Sequence, residues 1–181
     1  MHAHLQLLAL DTSTDTMSIA VARMQDGVPR VWAHTGAGGA QASATLIPAI
    51  MDLMGRAGLD FGDLDAIAFG CGPGAFTGLR TACSVAQGLA FGARVPPGRP
   101  ALQVLPVDSL LALAEQARSE HVAGGQPLRV LAMLDARMDE IYAAAYAFDG
   151  QHWTQQRDCR LGRPESLELP SGWPKQGFLL A

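Results

Sequence analysis

Two stretches of this 181-residue chain repeat the same order of features. In residues 7–27 and again in residues 131–150, a buried strand ends in aspartate, a second aspartate four residues later opens an apolar strand, and Asp-Gly closes the next turn. Three ordered features shared by two segments indicate a duplicated unit. The sequence therefore predicts two related α/β lobes that face a cleft.

Hydrophobic patterning supplies the other elements of the first lobe. Strands are predicted over 5–10, 17–23, 28–34 and 65–70, with Asp26-Gly27 as a hairpin turn, and helices over 41–57 and 79–91. In the first helix, Leu46, Ile50, Leu53, Met54 and Ala57 share one face. Ile47 and Met51 widen this apolar stripe, so the helix is expected to pack against two partners.

The second lobe begins after the proline-rich loop 95–100. A strand is predicted over 102–107 and a helix over 108–119, before the repeated segment. The apolar residues 177–181 have the pattern of a strand that begins and does not continue. We assign the lobes to residues 1–100 and 101–181 and expect the second to be incomplete.

Composition excludes several classes of protein. With 49% hydrophobic and 17% charged residues, the chain is too apolar for a disordered protein, and no apolar run approaches the roughly 18 residues of a membrane helix. A net charge of −4 argues against an autonomous nucleic-acid binder, so any RNA contact would need a basic partner. Three cysteines without C-x-x-C spacing and no signal-like start favour a soluble, cytoplasmic protein.

The connection between the first two strands is a candidate phosphate site. Asp11, Thr12, Ser13 and Thr14 offer hydroxyl and backbone N–H groups around a phosphate, with Asp11 placed to hold a magnesium-bound water. The alternative is an Asx or Ser/Thr turn that only closes the hairpin. The counterpart of this connection, residues 135–138, contains bulky side chains and no glycine, which argues against a second phosphate clamp.

A glycine-rich turn at residues 70–78 is the second candidate anion site. It follows a strand and opens a helix, so the backbone N–H groups of Gly72, Gly74 and Gly78 and the helix dipole favour an anion. It is not a P-loop, because no lysine follows the last glycine. Thr77 would more simply cap the helix, and Arg80 would face an anion or pair with a carboxylate.

No catalytic or metal-binding residue is assigned. The five histidines form no H-x-x-x-H or H-E-x-x-H pair for zinc or iron, and the chain contains no G-x-S-x-G motif.

Four motifs resemble the TsaB (YeaZ) family. They are LALDTST at 8–14, GPGAFTGLR at 72–80, AQGLAFG at 86–92 and LDARMDEIY at 134–142, and they occur in order over about residues 5–150. The resemblance implies a duplicated actin-like, Hsp70-like fold of the ribonuclease H-like class. It also implies a non-catalytic role in making threonylcarbamoyladenosine in tRNAs that read codons beginning with A.

Partners follow from the same resemblance. They are the TsaD transferase, which the chain would activate, the TsaE ATPase, and a second copy of the chain, with tRNA contacted only indirectly and no membrane. No cofactor is expected in the isolated chain, and ATP or ADP with Mg²⁺ is expected only at an interface shared within the complex.

The resemblance further implies that the helices at 41–57 and 79–91 pack against the equivalent pair of TsaD or of a second copy. Leu46, Ile50, Met51 and Met54 are the candidates for the apolar centre of this contact, and the alternative is that all four face their own sheet. Two other functions stay open: a metal-dependent peptidase, and an actin-like ATPase or sugar kinase that uses Asp11 and Gly72 to Gly78.

Overall fold

The first structural unit, Met1–Val107, is built on the predicted hairpin. The computed structural model describes residues 5–25, 27–122, 124–173 and 177–181. In chain order the elements of this unit are β1 (Gln6–Asp11), β2 (Thr16–Gln25), β3 (Val28–Ala37), α1 (Ala42–Ala57), β4 (Ala66–Cys71), α2 (Phe76–Gly92) and β5 (Gln103–Asp108), whose last residue already belongs to the second unit.

The first sheet has the strand order β3-β2-β1-β4-β5. β1 pairs antiparallel with β2 and parallel with β4, and β2 pairs antiparallel with β3. Alternate residues of the central strands, such as Leu8 and Leu10, are buried with Ile19 and Val21 against α1 and α2. Period-two burial on the strands and period-3.6 burial on the helices therefore meet in one core.

The second unit, Asp108–Ala181, repeats this arrangement. Its elements are α3 (Ser109–His121), β6 (Leu128–Arg137), β7 (Glu140–Phe148), β8 (Trp153–Gly162) and β9 (Leu179–Leu180). The strand order is β8-β7-β6-β9, with β6 antiparallel to β7 and parallel to β9. Since β3-β2-β1-β4 has the same order and the same directions, the duplication is confirmed, and with it the ribonuclease H-like fold class.

Several boundaries differ from the sequence-based ones. The units divide after Val107, seven residues beyond the predicted limit at residue 100, because β5 joins the first sheet. The helix predicted from residue 79 begins at Phe76. β8 was not predicted, because its sequence WTQQRDCRLG has no apolar alternation. Of the predicted hairpin turn, Asp26 lies outside the described residues. Within the described ranges, no helix has the length and hydropathy needed to span a membrane.

A hydrogen-bond network fixes α3 to the second sheet. Arg118 donates from Nε to Glu115 Oε2 (2.7 Å) and from a terminal nitrogen to Oε1 (2.6 Å), and Trp153 Nε1 donates to Glu115 Oε2 (2.9 Å). The guanidinium of Arg118 also lies 5.0 Å from the ring centre of Phe148. Hydrogen bonding to Arg118 lowers the pKa of Glu115 below its ordinary value of 4.5.

We predict that Glu115→Gln lowers the free energy of unfolding by about 1 kcal/mol at neutral pH, because charge-assisted bonds become neutral ones. Folding lowers the pKa of Glu115, so its contribution is present above the unfolded-state pKa and is lost as the pH falls through the folded-state value. The difference between the variant and the wild type should therefore shrink below about pH 4.5.

Denaturant unfolding, monitored by far-ultraviolet circular dichroism at about pH 7 and at about pH 3.5, measures this difference in the free energy of unfolding. Glu120→Gln is the matched control, since Glu120 accepts its 2.9 Å bond from the exposed Gln116. A difference for Glu115→Gln that persists unchanged at the lower pH would contradict the role given to the carboxylate.

Candidate functional site

The β1–β2 connection is an Asx turn. Oδ1 of Asp11 accepts hydrogen bonds from the backbone N–H (2.7 Å) and the hydroxyl (2.6 Å) of Ser13. Thr14 Oγ1 accepts from the N–H of Thr16 (3.1 Å), which closes the same turn. The turn-forming alternative therefore accounts for the geometry of Asp11, Ser13 and Thr14.

Thr12 and Ser13 attach this turn to the glycine-rich turn. Thr12 is completely buried, and its hydroxyl donates to the carbonyl oxygen of Gly78 over 2.6 Å. The N–H of Ala75 donates to the carbonyl oxygen of Ser13, also over 2.6 Å. The two candidate phosphate loops thus lie next to each other and are hydrogen-bonded to each other.

The glycines of the second turn are required by this contact. A Cβ atom on Gly78 would lie 1.7 Å from the carbonyl oxygen of Thr12, and one on Gly70 would lie 1.8 Å from Asp11 Oδ2. A Cβ on Gly74 would lie 2.7 Å from both Cβ and the carbonyl oxygen of Ser13. The two turns therefore fill the space between them, and the structure gives these residues a packing role where the sequence suggested an anion cradle.

Thr77 and Arg80 are placed differently from the prediction. The N-cap of α2 is Ala75, which has no polar side chain to cap the helix. The N–H of Ala75 donates to the carbonyl oxygen of Ser13, and this bond holds Ala75 at the start of the helix. Thr77 is consequently the second residue of α2, and the prediction that it caps the helix was wrong. Arg80 lies over the ring of Phe76, 3.8 Å from the ring centre, and Gly72 has a φ of 119° on the exposed part of the turn.

Three of the four predicted interface residues are inside the first unit. Leu46 and Ile50 are completely buried and Met54 is 3% exposed, all in the core formed with the sheet. They cannot form the apolar centre of an interface, because their side chains are already covered by their own unit. Met51 is 54% exposed, and Ile47, singled out in the sequence only as widening the stripe, is 48% exposed.

One line of exposed residues along α1 contains no charged side chain. That line contains Ala44, the adjacent Ile47 and Pro48, Met51 and Gly55, which follow one another on successive turns of the helix. On α2 the corresponding exposed residues are Arg80, Ser84, Gly88 and Phe91, of which Phe91 is 96% exposed. We name these nine residues the helical face.

Glycine costs about 1 kcal/mol relative to alanine inside a helix, yet the Cβ positions of Gly55 and Gly88 meet nothing within 4 Å in the chain itself. The fold of the unit therefore does not explain these two glycines. They allow another surface to approach the backbone of the helical face closely.

Within the residues that the structure describes, no group of three or more histidine, cysteine, aspartate or glutamate side chains is arranged to hold a metal ion.

Comparison with known proteins gives consistent matches. The family model of TsaD, tRNA N6-adenosine threonylcarbamoyltransferase, matches residues 37–175. The tRNA threonylcarbamoyladenosine biosynthesis protein TsaB of Haemophilus influenzae is 40% identical over 145 residues, which is 77% of this chain and 52% of the relative. TsaB of Escherichia coli is 36% identical over 145 residues, 80% of this chain and 56% of the relative.

Among solved structures, YeaZ from Pseudomonas aeruginosa superimposes with a TM-score of 0.80 at 37% identity, covering 97% of this chain and 75% of that one. The chain spans about half the length of the curated relatives it matches.

The contact between the two turns predicts opposite effects for two glycines of the same helix. We predict that Gly78→Ala lowers the free energy of unfolding by about 2 kcal/mol or more, because the added Cβ meets the backbone oxygen of Thr12. Gly88→Ala is expected to raise it by up to about 1 kcal/mol, because the space around Gly88 is open and alanine favours the helix. Denaturant unfolding of both variants measures the effects, and equal changes would contradict the packing role of Gly78.

Proposed function

The chain belongs to the TsaB (YeaZ) family, and on that basis we propose that it is a non-catalytic subunit for the biosynthesis of threonylcarbamoyladenosine in tRNA. Its curated relatives are named for this pathway. In this proposal the chain binds and activates a TsaD-type transferase, which transfers the threonylcarbamoyl group to adenosine. The substrates are tRNAs that read codons beginning with A.

One observation carries the non-catalytic part of the proposal. An actin-like ATPase needs open loops whose N–H groups face a phosphate. Here Thr12 and Ser13 bond instead to Gly78 and Ala75, and added atoms at the glycines would collide with the opposite turn. This supports a role in binding another protein over a role in phosphate chemistry.

The helical face is the surface that we propose for the transferase. Ile47 and Met51 are each about half exposed, and burying the remaining apolar area of both would add a favourable term of about 2 kcal/mol. The TsaD family model matches residues 37–175 of this chain, which include α1 and α2. A related partner would present an equivalent pair of helices, so the contact would contain four helices.

A second copy of the chain is the alternative occupant, and it would use the same face in a two-fold symmetric contact. The two occupants would therefore exclude each other. TsaE, and ATP or ADP with Mg²⁺, are placed by this proposal in the assembled complex and not in the isolated chain. The net charge of −4 supports a complex in which the partners make most of the tRNA contacts. In this proposal the complex acts in the cytoplasm.

We predict that the double variant Ile47→Glu/Met51→Glu weakens binding to the TsaD-type transferase of the same organism by about a hundredfold, since two apolar anchors become charged. Binding is measured by co-purification and by titration calorimetry. Formation of threonylcarbamoyladenosine in a reaction reconstituted with TsaD and TsaE should fall with it.

Val31→Glu is the matched control, because Val31 is 57% exposed on β3 of the same unit. It should bind the transferase like the wild type. Glutamate at Ile50 would not test the helical face. Ile50 is fully buried, so a charge at this position would unfold the unit. Wild-type binding by the double variant would remove the helical face from the proposal, and sedimentation at several concentrations would show whether a second copy uses it.

The isolated chain is expected to show no saturable binding of ATP at micromolar concentrations with Mg²⁺, and no stoichiometric zinc or iron. Calorimetry and metal analysis of the purified protein measure these two quantities. Micromolar ATP binding would favour the actin-like ATPase or kinase, and a stoichiometric metal ion would favour the metal-dependent peptidase.

A further inference from the structure

A small cavity lies on the second sheet, on the face opposite α3. The core under α3 contains Val130, Ala132 and Ala144. Their sequence neighbours Leu131 and Ala143 point to the other face, because side chains alternate along a strand. Both line a cavity of about 190 Å³, together with Arg157, Arg160, Arg163 and Ser166.

A β-bulge brings two of these arginines to the same cavity. In a regular strand, residues three apart point to opposite faces of the sheet. In β8, however, Arg157 pairs with Ala145 and Arg160 pairs with Ala143, so three steps along β8 match two steps along β7. The extra residue brings both guanidinium groups to the cavity, a use of bulges that is common beside functional sites.

Positive charge exceeds negative charge among the residues that line this cavity. Arg157 donates to the backbone carbonyl oxygens of Glu168 and Leu169, which carry no formal charge. The residues that line the cavity include three arginines and one carboxylate, that of Glu168. Arg163 has an exposed pair with Glu165 at 4.0 Å and also lines a neighbouring cavity with Asp135, Asp139 and Glu140. The described residues give Arg160 no ion pair.

We propose that this cavity binds a phosphate group, held by Arg160 and Arg163; Ser166 also lines the cavity, but its hydroxyl already donates to the carbonyl oxygen of Arg163 (2.7 Å). The planar guanidinium fork matches phosphate oxygens in pairs, and it stays charged at any physiological pH. The cavity is smaller than the 300 to 1,000 Å³ that is typical for whole organic ligands, so it suits one phosphate group and not a nucleotide. The source is free phosphate, including small phosphomonoesters, or a phosphodiester of RNA.

This inference goes beyond the proposed function, which leaves tRNA contacts to the partners. Its test does not depend on the transferase. Inorganic phosphate is titrated into the chain by calorimetry, with the ionic strength held constant by chloride. The double variant Arg160→Gln/Arg163→Gln should bind phosphate about a hundredfold more weakly, since it loses charge-assisted bonds from two guanidinium groups.

Arg137→Gln is the matched control, because Arg137 is an exposed arginine of the same unit outside the cavity. It should bind phosphate like the wild type. Arg157 is left unchanged, because it holds the segment around Glu168 to the sheet. Circular dichroism of the double variant Arg160→Gln/Arg163→Gln and of Arg137→Gln should show the wild-type fold.

A short unstructured RNA oligonucleotide distinguishes the two sources. If the double variant loses RNA binding, and phosphate competes with RNA on the wild type, the site takes a phosphodiester. If phosphate binding alone is lost, the site takes free phosphate. No saturable binding of phosphate or RNA by the wild type, or equal binding by the double variant and Arg137→Gln, would overturn the proposal.

Discussion

The contact between the Thr12-Ser13 backbone and the start of α2 is the constraint on which the first unit depends. Two hydrogen bonds of 2.6 Å, from Thr12 Oγ1 to Gly78 and from Ala75 to Ser13, join segments more than 60 residues apart in the chain. They leave no space for a side chain at Gly78 or Gly74. Because both bonds are made at the first turn of α2, they fix where the helix begins against the β1–β2 hairpin.

The same contact occupies groups that a phosphate site would use. The N–H of Ala75 already donates to Ser13, and atoms of the opposite turn lie where a side chain at Gly74 or Gly78 would be. The helical face contains the exposed side chains of Ile47 and Met51, and a Cβ atom added at its glycines, Gly55 and Gly88, would meet nothing within 4 Å. The buried side of α1 stabilises the fold, while its exposed side is free to meet another helix.

The two repeats share a topology but differ at their hairpin turns. Asp11 and Asp135 each accept a hydrogen bond from the N–H two residues later, so the Asx turn is common to both. After it, the second copy places three consecutive non-glycine residues, Arg137 to Asp139, at positive φ, a conformation that costs about 1 kcal/mol or more per residue. Ser13 packs against Gly74 in the first copy. The repeats therefore share the Asx turn that starts the hairpin and differ in the backbone conformation that follows it.

Local pattern was enough to predict the repeat, most strands and the apolar stripe of α1, because alternation and helical periodicity depend only on near neighbours. It also determined that Leu46, Ile50 and Met54 share a face with Ala57, which the structure places in the core. Which face is covered, however, depends on the sheet that the helix meets, and residues of distant strands form that sheet. For this reason the core stripe was mistaken for a partner surface.

The sequence did not predict the contact between the two loops. A glycine-rich turn has the same sequence pattern whether its glycines make space for a phosphate or for the backbone of another loop. The bulge that gathers Arg157 and Arg160 arises only from the register between β7 and β8. The sequence by itself thus determined the duplicated topology and the family motifs. Only the tertiary structure decided which of those motifs is packed inside and which surface faces outward, because burial and register are set by contacts between residues far apart in the chain.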